Sequence, residues 1–261
     1  MRNFQFHRPK TVAEAVERLR GGDDAKARAG GQSLLPMLKL ELTQPGELIS
    51  LADIAELRAI REDGDNLLVG ALATHEEVSR SKRIPSLAGL AGRIGDPQVR
   101  NRGTIGGSIA HADPAADYPA ALVALGATIA TDRRRIPAEQ FFTGIFQSAL
   151  EPDELVTAVH FPVPERSAYV KHAHRASRFA VVGVMVVKTK GSVRVAVTGA
   201  GARVFRVPEM EAALGKTFAP ASIEGITIPH DDLQSDSEAS AEFRAHLVGV
   251  MAKRAVAAAL A

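Results

Sequence analysis

Two glycine-rich segments of the chain carry residue types that could bind an anion. The first is "AGGQS", Ala29 to Ser33, and the second is "TIGGS", Thr104 to Ser108. Glycine has no Cβ to block a ligand and readily adopts positive φ, so successive backbone N–H groups can converge on phosphate oxygens. Nearby hydroxyl groups add further donors. Either segment alone could be an ordinary turn, but two of them in one chain predict a pyrophosphate held from two sides.

Other candidate motifs are weaker. Gly199-x-Gly201 follows a predicted strand, as the first half of a Rossmann fingerprint does, but Val204 stands where the third glycine is required. A turn between strands is therefore favoured. His172 and His174 could place two imidazoles on one face of a strand, but no third ligand lies near them in the sequence. We therefore predict no metal site. No P-loop occurs, and because no Gly-x-Ser-x-Gly sequence occurs either, we predict no hydrolase.

Composition excludes several classes of protein. Lys and Arg total 32 against 30 for Asp and Glu, and the one dense basic run is "DRRR" at 132–135, so we expect no nucleic-acid partner. The absence of cysteine excludes disulfides, iron–sulfur ligation and a cysteine nucleophile within these 261 residues. Apolar runs such as "FAVVGVMVV" are too short to span a bilayer, and the first residues lack the apolar core of a signal peptide. We expect a soluble, cytoplasmic protein.

Helices and strands alternate along the first part of the chain. The spacing Thr11–Glu14 predicts a capping box that opens a helix, and Thr74–Glu77 predicts a second. The run "PAALVALGATIAT" predicts an apolar helix that ends at Gly126 and is followed by a strand. These elements position the two glycine segments, each of which precedes an apolar element.

Pro162 and Pro164 predict a domain boundary, because two prolines so close together disfavour both a helix and a central strand. Strands dominate the next stretch. The chain then ends in "SEASAEFRAHLVGVMAKRAVAAALA", a predicted amphipathic helix with an apolar face formed by Phe243, Leu247, Val250 and Met251. The fold class is therefore mixed α+β with a distinct second domain.

Four stretches resemble a known family. They are "RAGGQSLLPMLKLELTQPGELISL", "IGDPQVRNRGTIGGSIAHADPAADYPAALVALGA", "YVKHAHRASRFAVVGV" and "EFRAHLVGVMAKRAV". Together they closely resemble the FAD-binding medium subunit of molybdenum hydroxylases, the relatives of carbon monoxide dehydrogenase and xanthine dehydrogenase. The resemblance covers nearly the whole chain, and the two glycine motifs in this order are specific to it.

The resemblance implies the fold and the domains. It implies an α+β FAD-binding domain of the PCMH, or vanillyl-alcohol-oxidase, type over residues 1–164, with subdomains of about 1–55 and 56–164. Residues 165–261 would form a C-terminal α+β domain like that of the carbon monoxide dehydrogenase flavoprotein.

The resemblance also implies which residues bind FAD. The two glycine motifs would grip the pyrophosphate, Asp117 would lie near the ribityl or adenosine portion, and Val156 would make a backbone contact to the flavin. Lys171 would lie close to the ring, and Phe179 would cover one flavin face, although a buried strand phenylalanine is an equally good interpretation. The full set is Ala29, Gly30, Gly31, Gln32, Ser33, Thr104, Ile105, Gly106, Gly107, Ser108, Asp117, Val156, Lys171 and Phe179.

One departure from the family pattern concerns charge. Ser177 and Arg178 stand where the family commonly has Gly-Asp before the face residue. A guanidinium near a flavin favours the reduced anionic form, which a carboxylate disfavours. We therefore hypothesise that Arg178 raises the reduction potential, provided that its side chain points inward rather than to solvent.

The resemblance implies an electron-transfer subunit. A large molybdopterin-binding subunit and a small [2Fe–2S] subunit would complete a heterotrimer, itself dimerised, with FAD passing electrons to a quinone, NAD or oxygen. The alternative is a stand-alone FAD-dependent oxidoreductase of the same fold. A scaffold that has lost its cofactor is a further alternative, which the intact glycine motifs disfavour.

Overall fold

The computed structural model describes residues 3–22 and 24–261, and ten α-helices and fourteen strands lie in that part of the chain. The helices are α1 Val12–Gly21, α2 Leu34–Lys39, α3 His75–Ser79, α4 Pro85–Ala91, α5 Pro97–Arg100, α6 Ile105–His111, α7 Tyr118–Leu125, α8 Ala138–Phe141, α9 Pro208–Lys216 and α10 Ala241–Leu260. The strands are β1 Gln5–His7, β2 Ala25–Arg28, β3 Glu47–Ser50, β4 Ile60–Asp63, β5 Asn66–Gly70, β6 Thr128–Thr131, β7 Arg135–Pro137, β8 Phe142–Gly144, β9 Gln147–Ser148, β10 Val156–Pro162, β11 Arg166–Ala173, β12 Ala180–Lys188, β13 Val193–Thr198 and β14 Phe205–Arg206. Short 3₁₀ turns cover Ala55–Arg58 and Pro220–Ile223.

The first sheet is small and parallel, with strand order β1-β3-β2. Thr11 caps α1 by accepting a hydrogen bond from the N–H of Glu14 at 3.2 Å, but the predicted capping box is only half formed, because the Glu14 carboxylate accepts from the N–H of Lys10 at 2.8 Å instead of that of Thr11. The apolar face of α1 packs Ala15 and Val16 against Ile49 of the central strand in a separate hydrophobic cluster. This packing fixes β2, so the chain leaves the sheet at the first glycine motif.

The second sheet has five antiparallel strands in the order β4-β5-β10-β6-β7. Thr74 forms the predicted capping box with Glu77 at the start of α3. All eight residues of α7 are buried, and the helix ends where Gly126 adopts φ +66°, as predicted. Because α7 has no polar face, it needs protein on every side.

The third sheet supplies part of that cover. Its order is β11-β12-β13-β14, and eight of the nine residues of β12 are buried. Met185 and Ala196 of this sheet pack in the same cluster as α7, whereas Val184 and Val195 pack against α9 and α10 in another. The sheet therefore lies between α7 on one face and the two C-terminal helices on the other.

The buried face of α10 differs from the predicted one. Leu247 and Met251 are buried, but the side chain of Phe243 is 45% exposed and Arg244 is buried in its place. Nη1 of Arg244 donates to the carbonyl oxygens of Val181 at 2.7 Å and Gly199 at 2.9 Å, and Nη2 donates to Asp236 at 2.6 Å, whereas Nε has no partner among the described residues. A pattern of apolar residues does not predict a buried arginine, because the carbonyl groups that accept its hydrogen bonds lie 63 and 45 residues away in the sequence. The α+β class itself is confirmed.

Among the helices of the described residues, none combines the length and the apolar character needed to cross a membrane.

Candidate functional site

A cleft of about 540 Å³ is lined by residues in or next to strands of the three larger sheets, while β8 and β9 form a separate two-stranded sheet. Of the fourteen residues predicted to bind the cofactor, all except Ile105 and Lys171 line it. Those that line it are Ala29, Gly30, Gly31, Gln32, Ser33, Thr104, Gly106, Gly107, Ser108, Asp117, Val156 and Phe179. The fold thus brings together residues that are far apart in the sequence.

The first glycine motif leaves backbone donors unpaired. Within the described ranges, no group accepts a hydrogen bond from the backbone N–H of residues 30–33. Gly31 adopts φ +77°, a conformation that favours glycine, and Ser33 precedes α2 without capping it through its side chain. Four backbone donors and one hydroxyl in a cleft wall are therefore available to an anionic ligand.

The two glycine motifs are held together by a direct backbone contact. A Cβ at Gly30 would overlap the carbonyl oxygen of Arg102 and would lie 2.9 Å from the Cα of Gly103. A Cβ at Gly107 would lie 3.5 Å from the Cβ of Ala29. Gly30 therefore allows the first motif to pack on the two residues that immediately precede the second motif, in addition to any contact with a ligand.

The second glycine motif forms the first turn of α6 rather than a loop. Thr104 caps this helix by accepting from the N–H of Gly107 at 3.2 Å, and the N–H groups of Ile105 and Gly106 donate to the carbonyl oxygens of Ala73 and Ala71. The predicted nest of free N–H groups is wrong at this motif, because the protein already accepts those hydrogen bonds. The motif presents small residues and the side chain of Ser108 to the cleft instead.

Ile105 lies in the core instead of the cleft wall. Its side chain is fully buried, and it packs in the same cluster as α7. Its backbone N–H is bonded at 3.0 Å to Ala73, so neither its side chain nor its N–H is available to a ligand.

Cationic side chains gather beside the first motif. Arg28 lines the cleft, donates from Nη2 to the hydroxyl of Ser50 at 2.8 Å and stacks over Phe6, while its Nε has no partner in the described part of the chain. Burial, and the nearby charges of Arg102 and Arg8, lower the pKa of the Arg28 guanidinium. Arg8 is paired with Asp53 at 2.9 Å, whereas Arg28 lines the cleft and its positive charge would favour an anion there.

Asp117 is part of a buried polar group. Its carboxylate accepts from the Tyr169 hydroxyl at 2.5 Å and from the Lys171 ammonium at 2.9 Å. Lys171 Nζ also donates to the carbonyl oxygens of Arg93 and Arg178 at 3.2 and 2.8 Å. Burial raises the pKa of the Asp117 carboxyl, and the ammonium offsets part of that increase. Lys171 thus lies behind the wall, where it joins β11 to the residue before α7.

A second buried pair lies one residue further along. His75 Nδ1 is 3.1 Å from the Tyr118 hydroxyl, and His75 lines the cleft although only 5% of it is exposed. Burial, assisted by the charge of Arg100, lowers the pKa of His75 to about 4, so the imidazole is neutral at pH 7. No local sequence pattern indicates this pair, because its members are 43 residues apart.

The hairpin between β11 and β12 forms one rim of the cleft. Arg178 adopts φ +64°, an uncommon conformation for a residue other than glycine, and its guanidinium donates to the carbonyl oxygen of Gly95 at 3.1 Å. The side chain of Phe179 is 46% exposed, so it is not the buried strand phenylalanine considered above. Val156, which also lines the cleft, begins β10 at a β-bulge.

The weaker motifs have other places in the fold. Gly199 lies in a turn after β13 at φ +83°, and its N–H donates to Pro114 at 2.9 Å, so it packs against the chain beside Asp117. His172 contacts the ring of Phe243, and His174 Nδ1 accepts from the N–H groups of Ala176 and Ser177. No group of His, Cys, Asp and Glu in the described residues is arranged to hold a metal ion.

The cleft fits a dinucleotide such as FAD. Its volume is within the range of small-molecule sites, roughly 300–1,000 Å³. The unpaired N–H groups of residues 30–33 and the arginines beside them suit a pyrophosphate, and the apolar wall and the ring of Phe179 suit flat aromatic groups.

Comparison with known proteins identifies the family. Residues 2–164 match the family described as "FAD binding domain in molybdopterin dehydrogenase". The chain is 38% identical to the carbon monoxide dehydrogenase medium chain of Hydrogenophaga pseudoflava, over 99% of this chain and 97% of that one. It is 33% identical to the nicotine 6-hydroxylase medium subunit of Paenarthrobacter nicotinovorans, over 97% and 96%.

The fold agrees with these sequence matches. The structure of Hydrogenophaga pseudoflava carbon monoxide dehydrogenase lacking the Mo-pyranopterin moiety superimposes with a TM-score of 0.90, covering 99% of this chain and 98% of that one. The fold that the resemblance implied is therefore confirmed. The chain belongs to the FAD-binding medium-subunit family of the molybdopterin dehydrogenases, and it is an oxidoreductase subunit whose cofactor is FAD.

Proposed function

We propose that the chain is the electron-transfer subunit of a multi-subunit molybdenum hydroxylase. It would hold FAD between [2Fe–2S] clusters of a small subunit and an external acceptor, which is a quinone, NAD or oxygen. A large molybdopterin-binding subunit would oxidise the substrate, in a heterotrimer that itself dimerises. The names "medium chain" and "medium subunit" of the relatives support this assembly. None of the 261 residues is a cysteine, so the clusters would be held by a partner.

The observation that carries the proposal is the cleft with its unpaired donors. Residues 30–33 would bind the pyrophosphate through backbone N–H groups, and Arg28 would add positive charge. Phe179 would cover one face of the flavin, and Val156 would contact it through its backbone, since both residues line the cleft. Bound FAD supplies redox chemistry, since a flavin accepts electrons singly and delivers them as a pair. The chain itself would bind, orient and shield the cofactor, without acid–base catalysis.

We propose the same division into domains as the sequence predicts. An FAD-binding domain would cover 1–164, with subdomains of about 1–55 and 56–164, and a C-terminal domain would cover 165–261. Most buried apolar residues of each of the three larger sheets pack in a separate hydrophobic cluster, which supports this division. The cytoplasmic location stays a prediction.

A visible absorption spectrum tests the assembly. The tagged chain, purified from its own source cells, is expected to show flavin bands together with the broad absorption of iron–sulfur clusters, because its partners would be retained. The alternative, a stand-alone FAD-dependent oxidoreductase, predicts flavin bands alone. A colourless chain that stays colourless after FAD is added would contradict both.

The rim arginine gives a second test. Replacing Arg178 by aspartate is expected to lower the reduction potential of FAD bound to the full chain, because a carboxylate replaces a guanidinium at the cleft. Aspartate tolerates the left-handed backbone at this position, so the hairpin should persist. The potential is measured by dye-coupled titration.

The matched control is Arg175→Asp, the same charge change in the same hairpin at an exposed residue that does not line the cleft. Equal potentials in Arg178→Asp and the wild type would contradict the hypothesis that Arg178 tunes the flavin.

A further inference from the structure

His75 is a buried residue, but one of its ring nitrogens remains accessible at the cleft wall. The residue is 5% exposed and lines the cleft, and its Nδ1 is 3.1 Å from the Tyr118 hydroxyl. Its Nε2 has no hydrogen-bond partner in the described part of the chain and is not one of the buried unpaired atoms, so it is accessible from the cleft. An accessible ring nitrogen in a cleft wall can form a hydrogen bond with a ligand.

Tyr118 decides which nitrogen of His75 carries the proton. Tyr118 is fully buried, and His75 Nδ1 is the one acceptor within reach of its hydroxyl among the described residues. If Nδ1 carried the proton, it would donate to the tyrosine oxygen, and the hydroxyl proton would have no acceptor. The stable arrangement is therefore Tyr118 O–H donating to Nδ1, which leaves the proton of the neutral imidazole on Nε2.

Gly103 leaves that N–H uncovered. A Cβ at position 103 would lie 2.6 Å from His75 Nε2, and Gly103 itself lines the cleft. Its neighbour Thr104 caps α6, so Nε2 lies beside the second glycine motif. Burial, assisted by the positive charge of Arg100, lowers the pKa of His75 to about 4, so the group is an uncharged donor at pH 7.

We propose that His75 is a further FAD-binding residue, whose Nε2–H donates to an acceptor oxygen of the cofactor beside the second glycine motif, with Tyr118 as the positioning residue that fixes the tautomer. The inference rests on FAD occupying this cleft. His75 would supply a hydrogen-bond donor next to the second glycine motif, whose backbone N–H groups at Ile105, Gly106 and Gly107 are already bonded within the protein.

FAD titration of the full chain tests the inference. FAD is added to the cofactor-free chain and its fluorescence quenching is followed. His75→Phe is expected to weaken binding about tenfold to a hundredfold, the loss of one hydrogen bond to a charged or strongly polar acceptor. His75→Gln is expected to retain most of the affinity, because its amide N–H₂ can replace Nε2–H.

A double variant separates binding from folding. His75→Phe leaves the Tyr118 hydroxyl without an acceptor, whereas His75→Phe with Tyr118→Phe removes both polar groups and is expected to fold with near wild-type stability. The double variant should still bind FAD as weakly as the single one. Equal affinities in the double variant and the wild type would overturn the inference alone, whereas a wild-type chain that does not bind FAD would overturn the proposed function with it.

The tautomer has its own readout. In ¹⁵N-labelled chain, the His75 signals, assigned by their loss in His75→Gln, are expected to show a protonated Nε2 and an unprotonated Nδ1. Addition of FAD should shift the Nε2 signal. A protonated Nδ1, or an Nε2 signal unmoved by saturating FAD, would overturn the inference.

Discussion

An alanine at Gly106 is expected to destabilise the protein by about 1–3 kcal/mol, the cost of overpacking a well-packed site, and to remove most of its affinity for FAD. The new Cβ would lie 2.6 Å from the Cβ of Ala71 and 2.7 Å from its carbonyl oxygen. That oxygen also accepts the N–H of Gly106 at 2.9 Å, so α6 would have to move away from the end of β5. Thr104 and Ser108 would then leave their places in the cleft wall. Urea unfolding and FAD titration measure the two effects.

Gly89→Ala is the matched control, because Gly89 also lies in a helix but a Cβ there would have no neighbour within 4 Å. Alanine in a helix is favoured over glycine by about 0.5–1 kcal/mol, so this variant should be slightly more stable than the wild type. If Gly106→Ala behaved in the same way, the close packing of α6 on Ala71 would be refuted as the reason for this glycine.

Replacing Lys171 by methionine is expected to lower the free energy of unfolding by about 3–5 kcal/mol, even without FAD, because the carboxylate of Asp117 loses its charged partner inside the protein. Both side chains are 4% exposed, and the ammonium is 2.9 Å from the carboxylate. The double variant Asp117→Asn with Lys171→Met should recover much of the loss. Lys190→Met, the same substitution at an exposed site, should have little effect.

The pH dependence of this variant has a definite sign. Burial raises the pKa of Asp117 in the folded protein, and without the ammonium nothing of that strength opposes it. A carboxyl whose pKa is higher in the folded state stabilises the protein at low pH, and that contribution is lost as the pH rises through the raised value. Lys171→Met should therefore lose stability more steeply with rising pH than the wild type. A lysine that acted only as a flavin contact would leave the stability of the FAD-free chain unchanged.

The sequence predicted those helix ends that depend only on residues a few positions away. Thr11 and Thr74 cap helices because the residues that they bond are three positions away. Gly126 ends α7 because only its own backbone must turn. By contrast, α2 went unpredicted, since it has six residues and contains Pro36. A pattern so short carries no helical period.

The parts of the candidate site formed by consecutive residues could be predicted from the sequence, whereas contacts between distant residues could not. The first glycine motif has the unpaired donors that its sequence indicates, whereas the N–H groups of the second are taken by Ala71 and Ala73, more than thirty residues earlier. The partnership of Asp117 with Lys171 spans 54 residues, and no pattern in one sequence reveals it. That the remaining predicted residues contact FAD stays a prediction, which the titrations above can test.

The setting of α7 bears on how the chain could be divided. Its sequence belongs to the first 164 residues, but part of its apolar surface is covered by Met185 and Ala196, and Asp117 before it is neutralised by Lys171. A fragment that ends at residue 164 would expose apolar surface of α7 and an unpaired Asp117 carboxylate to water. We therefore expect residues 2–164, the part that matches the family, to be unstable without the third sheet, so an exchange of this segment between homologues would have to include that sheet.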